Sequence, residues 1–302
     1  MSYIYYPGCS LKGTGRAYEE SLLAVFKALE IHVEELNDWN CCGATSYMSV
    51  SELKAFALCA RNFALAERQA HETGMTDLVV PCAACYLGLN KALRYLDEYP
   101  DIRRKIDEAL ATADLAYTNH IRIRHPLDVL VNDFDRDRII SRVKRSLAGL
   151  KVACYYGCQI VRPYADFDDQ ENPSSMNTLV RALGAETVDW PLKTRCCGGS
   201  LTGTVQDVGQ RLSFILLREA IGRGADVIVT ACPLCQFNLE CYQNEMSRRF
   251  DAPVHIPVLY FTQLMGIALG VSDRQLALQR LFVPFKAGSK LQQTAGGQHV
   301  GS

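Results

Sequence analysis

The sequence predicts an α/β fold in two pseudo-equivalent lobes, each with a small parallel sheet flanked by helices. Three observations carry this expectation. Short strand-like runs alternate with helix-period segments, and glycines mark the helix ends. A lone cysteine after Tyr-x-Gly, a Cys-Cys-Gly and a Cys-x-x-Cys also recur in that order in both halves. At 302 residues the chain can form two domains of about 150 residues, each able to bury its own core.

Taken in order, residues 3–6 and 151–156 are strand-like and lead through Gly8 and Gly157 to Cys9 and Cys158. Helix-period segments follow at 18–30 and 176–183, and a strand is then expected to deliver each Cys-Cys-Gly turn. The runs 52–72 and 206–223 are the clearest helices. The first carries Leu53, Phe56, Ala60, Phe63 and Ala64 on one face and closes near Gly74; the second carries Val208, Leu212, Ile215 and Leu216 and closes near Gly222 and Gly224. Buried-type strands at 77–80 and 226–229 then run into a Cys-x-x-Cys that opens another helix.

Between the two copies, 101–110 reads as a helix, 121–125 as a strand, Pro126 as a helix N1 residue and 133–147 as a charged amphipathic helix. A split near Gly149 gives domains 1–149 and 150–287. Residues 288–302 are polar and rich in Gly, Gln and Ser, a composition of disordered tails and expression remnants. In parallel α/β sheets ligands gather beyond the carboxyl ends of the strands, where all three cysteine groups of each lobe should lie. One metal site per lobe is the geometric consequence.

Charge is balanced, with 32 basic and 33 acidic residues, so no general attraction to nucleic acid or an anionic membrane is expected. The N-terminal residues show no basic and apolar export signal, which implies a cytoplasmic protein. In a reducing cytosol an odd count of 13 cysteines argues against a disulfide framework. The apolar stretch 254–269 is broken by His255, Pro257, Thr262 and Gln263, too short and polar for a transmembrane segment.

Ten cysteines form the two sets: Cys9, Cys41, Cys42, Cys82 and Cys85, then Cys158, Cys196, Cys197, Cys232 and Cys235. A Cys-x-x-Cys alone can bind metal, act as a redox dithiol or cap a helix. Structural zinc and an ordinary 4Fe–4S cube each need four ligands, so five per lobe is one too many. Adjacent cysteines used at one centre favour an extended or opened cluster. Gly43 and Gly198-Gly199 let the backbone approach and donate N–H groups to sulfur. Lys193 and Arg195 either offset thiolate charge or are solvated surface cations.

These motifs resemble the cysteine-rich CCG domain family, and residues 1 to about 285 are similar to the B-type subunit of heterodisulfide reductase and its relatives. The resemblance implies two non-cubane 4Fe–4S clusters, one on each set of five cysteines. It also implies a cytoplasmic oxidoreductase subunit that cleaves or forms disulfides at the clusters without an acid–base residue. Its partners would be a small cubane 4Fe–4S subunit and a flavin-bearing subunit; its substrate would be a disulfide, a persulfide or a sulfur carrier.

Other readings stand beside this one. The chain can be an electron-transfer and membrane-docking subunit of an atypical succinate or fumarate reductase, with the basic segment 136–145 as its docking surface. Zinc in one or both lobes is a third. Cys154, four residues before Cys158, competes with it as ligand, although the Tyr-x-Gly-Cys pattern selects Cys158. Cys59 and Cys241 read as core packing. His125 faces either a site or its own helix start, and His32, His71, His120, His255 and His299 carry no pattern. Pro81 and Pro233 stiffen the Cys-x-x-Cys turns. The stretch 12–16 lacks the spacing of a phosphate loop.

Overall fold

The computed structural model describes residues 1–44 and 46–285, with the backbone of Gln292–Gln293. The first lobe opens with β1 (Ser2–Tyr5), the short α1 (Gly8–Leu11), α2 (Arg16–Ala28) and β2 (His32–Glu35). Then come α3 (Ser46–Val50), α4 (Glu52–Thr73), β3 (Asp77–Val79), α5 (Ala83–Glu98), α6 (Pro100–Ala111) and β4 (Arg122–Arg124). Gly74 ends α4 in the left-handed conformation, its N–H closing on the Ala70 carbonyl. Pro100 opens α6 and Pro126 opens α7 (Pro126–Asp128), where a missing N–H costs nothing.

The 133–147 helix is shorter than its charge pattern implies. A π-helical turn at Val129–Asp133 precedes α8 (Arg136–Ser141), and β5 (Arg145–Ser146) follows it. Tertiary contacts on both sides replace the helix: Arg142 donates to the Ala28 carbonyl and pairs with Glu30, while the Lys144 and Leu147 N–H groups donate to the Ala268 and Leu183 carbonyls of lobe two.

The second lobe repeats the plan with β6 (Lys151–Tyr155), α9 (Ser175–Ala182), β7 (Glu186–Thr187), α10 (Leu201–Thr204) and α11 (Gln206–Gly222). It closes with β8 (Val227–Thr230), α12 (Pro233–Glu240), α13 (Gln243–Arg249), β9 (Val258–Tyr260) and α14 (Phe261–Ala268). The tail from 288 lies outside the described residues except for the backbone of Gln292–Gln293 (β10), which pairs antiparallel with β5.

Each lobe holds a four-stranded parallel sheet, ordered β2-β1-β3-β4 and β7-β6-β8-β9. The α/β class and its duplication are therefore as the alternation of strand and helix predicts. The central strands β1, β3, β6 and β8 are almost wholly buried, as near-continuous apolar runs in parallel sheets should be. One difference is local: β2 ends at Glu35 and β7 at Thr187, so loops rather than strands deliver Cys41 and Cys196.

The lobes interlock reciprocally. The α2 helix, which follows the first strand of lobe one, packs on α14, which follows the fourth strand of lobe two. In return α9 packs on α7 and the π-helical turn after β4. Ser21 and Thr262 hydroxyls meet at 2.7 Å across the first of these contacts.

Candidate metal centres

In lobe one the five thiols form a row. Cys9 Sγ lies 3.6 Å from Cys41 Sγ, and Cys42 Sγ lies 3.2 Å from Cys85 Sγ. Cys41 interacts with Cys42, and Cys85 with Cys82, which closes the sequence Cys9, Cys41, Cys42, Cys85, Cys82. Lobe two repeats it as Cys158, Cys196, Cys197, Cys235, Cys232, with Cys197 and Cys235 at 3.5 Å. Among the described residues, no three His, Cys, Asp or Glu side chains are placed to hold a single metal ion.

Crowded thiols cannot all keep ordinary proton affinities. Hydrogen bonds from Cys41 and Cys85 hold Cys42 well below the usual thiol range, and Cys41 is correspondingly raised by Cys42. In lobe two Cys158 and Cys197 lower Cys196, and Cys235 lowers Cys232. Protons are thus shared unevenly along both rows, Cys42, Cys196 and Cys232 being lowered while Cys41, Cys85, Cys158, Cys197 and Cys235 are raised, and a cationic metal group would displace the protons that remain. Lys193 is held by the Pro173 carbonyl at 2.8 Å, and Arg195 is exposed.

The backbone shapes both rows alike. Gly8 and Gly157 have φ of +65° and +68° and sit against the Cys85 and Cys235 sulfurs, where a side chain has no room. The N–H groups of Gly43 and Gly198 point at Cys41 and Cys196 sulfurs, both at 3.4 Å. Orphan polar atoms cluster near the second row: Thr230 Oγ1, Asn238 Oδ1 and Tyr18 Oη are buried with no partner among the described residues. A row of close thiols and a glycine cradle in each lobe, with the unpaired hydroxyls of Thr230 and Tyr18 near the second row, fit an iron–sulfur group.

The remaining candidates separate cleanly. Cys154 is buried inside β6, its thiol raised to about 12 by burial, while Cys158 joins the row. Cys59 bonds to the Cys42 carbonyl at 3.2 Å, and Cys241 is a half-buried thiol raised by burial. His125 caps α7 by accepting from the Leu127 N–H, and its Nε2 lies 3.2 Å from the Pro81 carbonyl. Burial lowers its pKa to about 4, so the ring is neutral.

Beside the first row lies an open cavity of about 350 Å³. Ala44, Ala84 and Gly88 line it, as do Lys91 and Glu52, which pair with each other, and Gln159, next to Cys158, joins the lining from lobe two.

The cysteine-rich domain family named CCG matches residues 3–90 and 152–240. The chain belongs to this CCG family. Both CCG copies span their lobe's first three strands and all five row cysteines. Among relatives of this CCG protein, the 8-methylmenaquinol:fumarate reductase membrane anchor subunit of Wolinella succinogenes is 32% identical, covering 91% of this chain and 95% of the relative. A protein of Archaeoglobus profundus named as like the B-type subunit of heterodisulfide reductase is 31% identical, covering 92% and 93%. A crystal structure of a hypothetical protein from Helicobacter pylori shares the fold, with a TM-score of 0.73 at 15% identity. It covers 94% of this chain and 52% of that one, so the CCG protein spans about half of its length.

The CCG copies also share supports that spacing alone does not identify. The tyrosine of each Tyr-x-Gly-Cys pins the loop before Cys-Cys-Gly: Tyr6 Oη donates to the Asn40 carbonyl at 2.8 Å, and Tyr155 Oη to the Arg195 carbonyl at 2.6 Å. The chain's two tryptophans, Trp39 and Trp190, pack on those same tyrosines. Cys59 and Ser213 likewise hold the carbonyls of Cys42 and Cys197. The signal in the sequence was the tyrosine itself, repeated within both motifs.

Proposed function

We propose that this chain is the iron–sulfur subunit of a cytoplasmic heterodisulfide reductase-like complex, working in disulfide reduction or the reverse thiol oxidation. Cys9, Cys41, Cys42, Cys82 and Cys85 would hold one non-cubane 4Fe–4S cluster, and Cys158, Cys196, Cys197, Cys232 and Cys235 a second. The observation that carries this reading is the same five-sulfur row in both lobes. When bound, such groups supply single electrons and iron able to take up sulfur.

The chain's own residues shape the access. Ala44, Ala84 and Gly88 keep the space beside the first row open, and Gln159 links it to the Cys158 side. At this open cavity Glu52 and Lys91 pair with each other, and the two protons that a cleaved disulfide takes up would be drawn from the solvent that reaches it. Electrons would be exchanged with a small cubane 4Fe–4S subunit and, beyond it, a flavin subunit. The test is to mix anaerobically reduced protein with a small organic disulfide. Release of two thiols per disulfide with bleaching of the reduced spectrum supports the proposal, and no thiol release contradicts it.

A second reading, electron transfer at a quinone-bearing membrane, is favoured by the membrane anchor name of the Wolinella relative. Among the described residues no helix is long and apolar enough to cross a membrane, so docking would be peripheral. The basic segment 136–145 is a poor surface for it, because Arg138 and Arg142 pair with Glu30. Exposed Tyr47, Val50 and Leu53, and Leu201, Val205 and Val208, follow the Cys-Cys-Gly turns of the two lobes and fit the role better. Co-sedimentation of the holoprotein with liposomes tests this reading; protein left in the supernatant contradicts it.

A further inference from the structure

The two lobes exchange an aromatic ring. Tyr18, nine positions after Cys9, crosses to lobe two and stacks on Tyr260 at the end of β9, with ring centroids 4.5 Å apart and an interplanar angle of 4°. Phe167, nine positions after Cys158, crosses the other way and stacks on His125, which follows β4, at 6.1 Å and 3°. Each crossing ends at the other lobe's Cys-x-x-Cys turn. A Cβ on Gly15 would stand 3.0 Å from Pro233, between Cys232 and Cys235, while His125 contacts the carbonyl of Pro81, which precedes Cys82.

The exchange is symmetric in shape and asymmetric in chemistry. Tyr18 carries a hydroxyl that Phe167 lacks. That hydroxyl is fully buried and has no hydrogen-bond partner among the described residues, although buried hydroxyls are normally paired. Burial keeps the phenol protonated and therefore a donor, and the ionisable groups that act on it are, after Tyr260, Cys232, Tyr5 and Cys82 in decreasing strength. Its ring lies on Tyr260, and the helix that carries it starts after Gly15, which packs on Pro233 between Cys232 and Cys235.

We propose that Tyr18 Oη donates a hydrogen bond to sulfur at the Cys232 end of the second row once that site is loaded, and so makes the two centres inequivalent. A donor to sulfur stabilises the more negative, reduced state, so the second centre has the higher reduction potential. Tyr18 acts as a positioning residue, and the inference rests on the two-cluster reading.

The experiment compares anaerobic holoprotein with Tyr18→Phe, which keeps the stacked ring and removes only the hydroxyl. Iron and sulfide are counted first, then the midpoint of each centre is read by redox titration with electron paramagnetic resonance. Wild-type iron content with one midpoint moved to lower potential and the other unmoved supports the proposal. Wild-type iron content with both midpoints unmoved overturns it and leaves the two-cluster reading intact. Absence of iron from the wild-type protein overturns that reading and the proposal with it. If Tyr18→Phe alone loses iron, resonance Raman spectra of the wild type in H2O and D2O decide. A deuterium shift of iron–sulfur bands supports the donor, and no shift overturns it.

Discussion

Gly8 is folded against Cys85 so closely that a Cβ on the glycine would stand 2.9 Å from the cysteine sulfur. Gly157 repeats the contact with Cys235, at 3.1 Å. The turn that presents the lone cysteine therefore shares space with the last cysteine of the Cys-x-x-Cys. Both glycines are also in the left-handed region, which costs an L-residue about 1–2 kcal/mol. Gly157→Ala is expected to lose the metal of the second lobe while retaining that of the first. Iron per chain checks this, and an unchanged count would contradict it.

Arg124 is a buried cation answering three carboxylates, with Asp133 at 2.9 Å, Asp77 at 3.2 Å and Asp128 in close contact. Replacing it with methionine takes the paired cation from Asp128 and Asp133, while Asp77 keeps Arg122, and about 3–5 kcal/mol of stability should be lost. Urea unfolding of the two proteins measures this.

The same network sets an acid limit. Burial pushes Asp133 upward, but hydrogen bonds from Arg124 and Tyr3 outweigh it and hold the carboxyl below its usual value. A depressed folded pKa contributes stability above the unfolded value that is lost as pH falls through the folded one. The wild type should lose stability below about pH 4, and Arg124→Met should show a weaker acid dependence of its urea midpoint.

Much of this was legible in the sequence because the strand and helix patterns and each cysteine motif are local, although the parallel pairings they form are not. The strand 77–80 and the helix 52–72 could be read from period and from Gly74, and the second copy supplied a check on each. Tertiary contacts overrode local pattern at Arg142, which shortens the 133–147 helix, and between β2 and Cys41, where a loop pinned by Tyr6 replaces a strand. The Tyr18–Tyr260 and Phe167–His125 stacks join residues far apart in the chain, and no periodicity encodes such pairs.

Glu240 offers a test of the opposite sign. Burial raises its pKa to about 7, against hydrogen bonds from Val283, Gln236 and Phe282 that lower it. A carboxyl whose folded pKa exceeds its unfolded value binds a proton on folding, so stability falls as pH rises from about 4.5 to 7. Glu240→Gln should flatten this slope in thermal unfolding measured between pH 5 and pH 7.5. An unchanged slope would contradict the assignment.

The tyrosine pins should matter more for order than for donor count. Tyr155→Phe removes the bond to the Arg195 carbonyl and is expected to cost about 1 kcal/mol, with the five thiols of that lobe retained. Apo protein unfolding gives the stability change, and thiol alkylation rates at Cys196 should rise as the loop before it loosens.

Metal content decides whether each lobe's five-sulfur row holds the proposed non-cubane iron–sulfur cluster. Iron, acid-labile sulfide and zinc should be counted on anaerobically purified protein, together with its electron paramagnetic resonance spectrum. Two loaded rows should give about eight irons and eight sulfides per chain with a signal unlike that of an ordinary cube. Zinc with little iron, or the spectrum of a four-cysteine cube in both lobes, would contradict it.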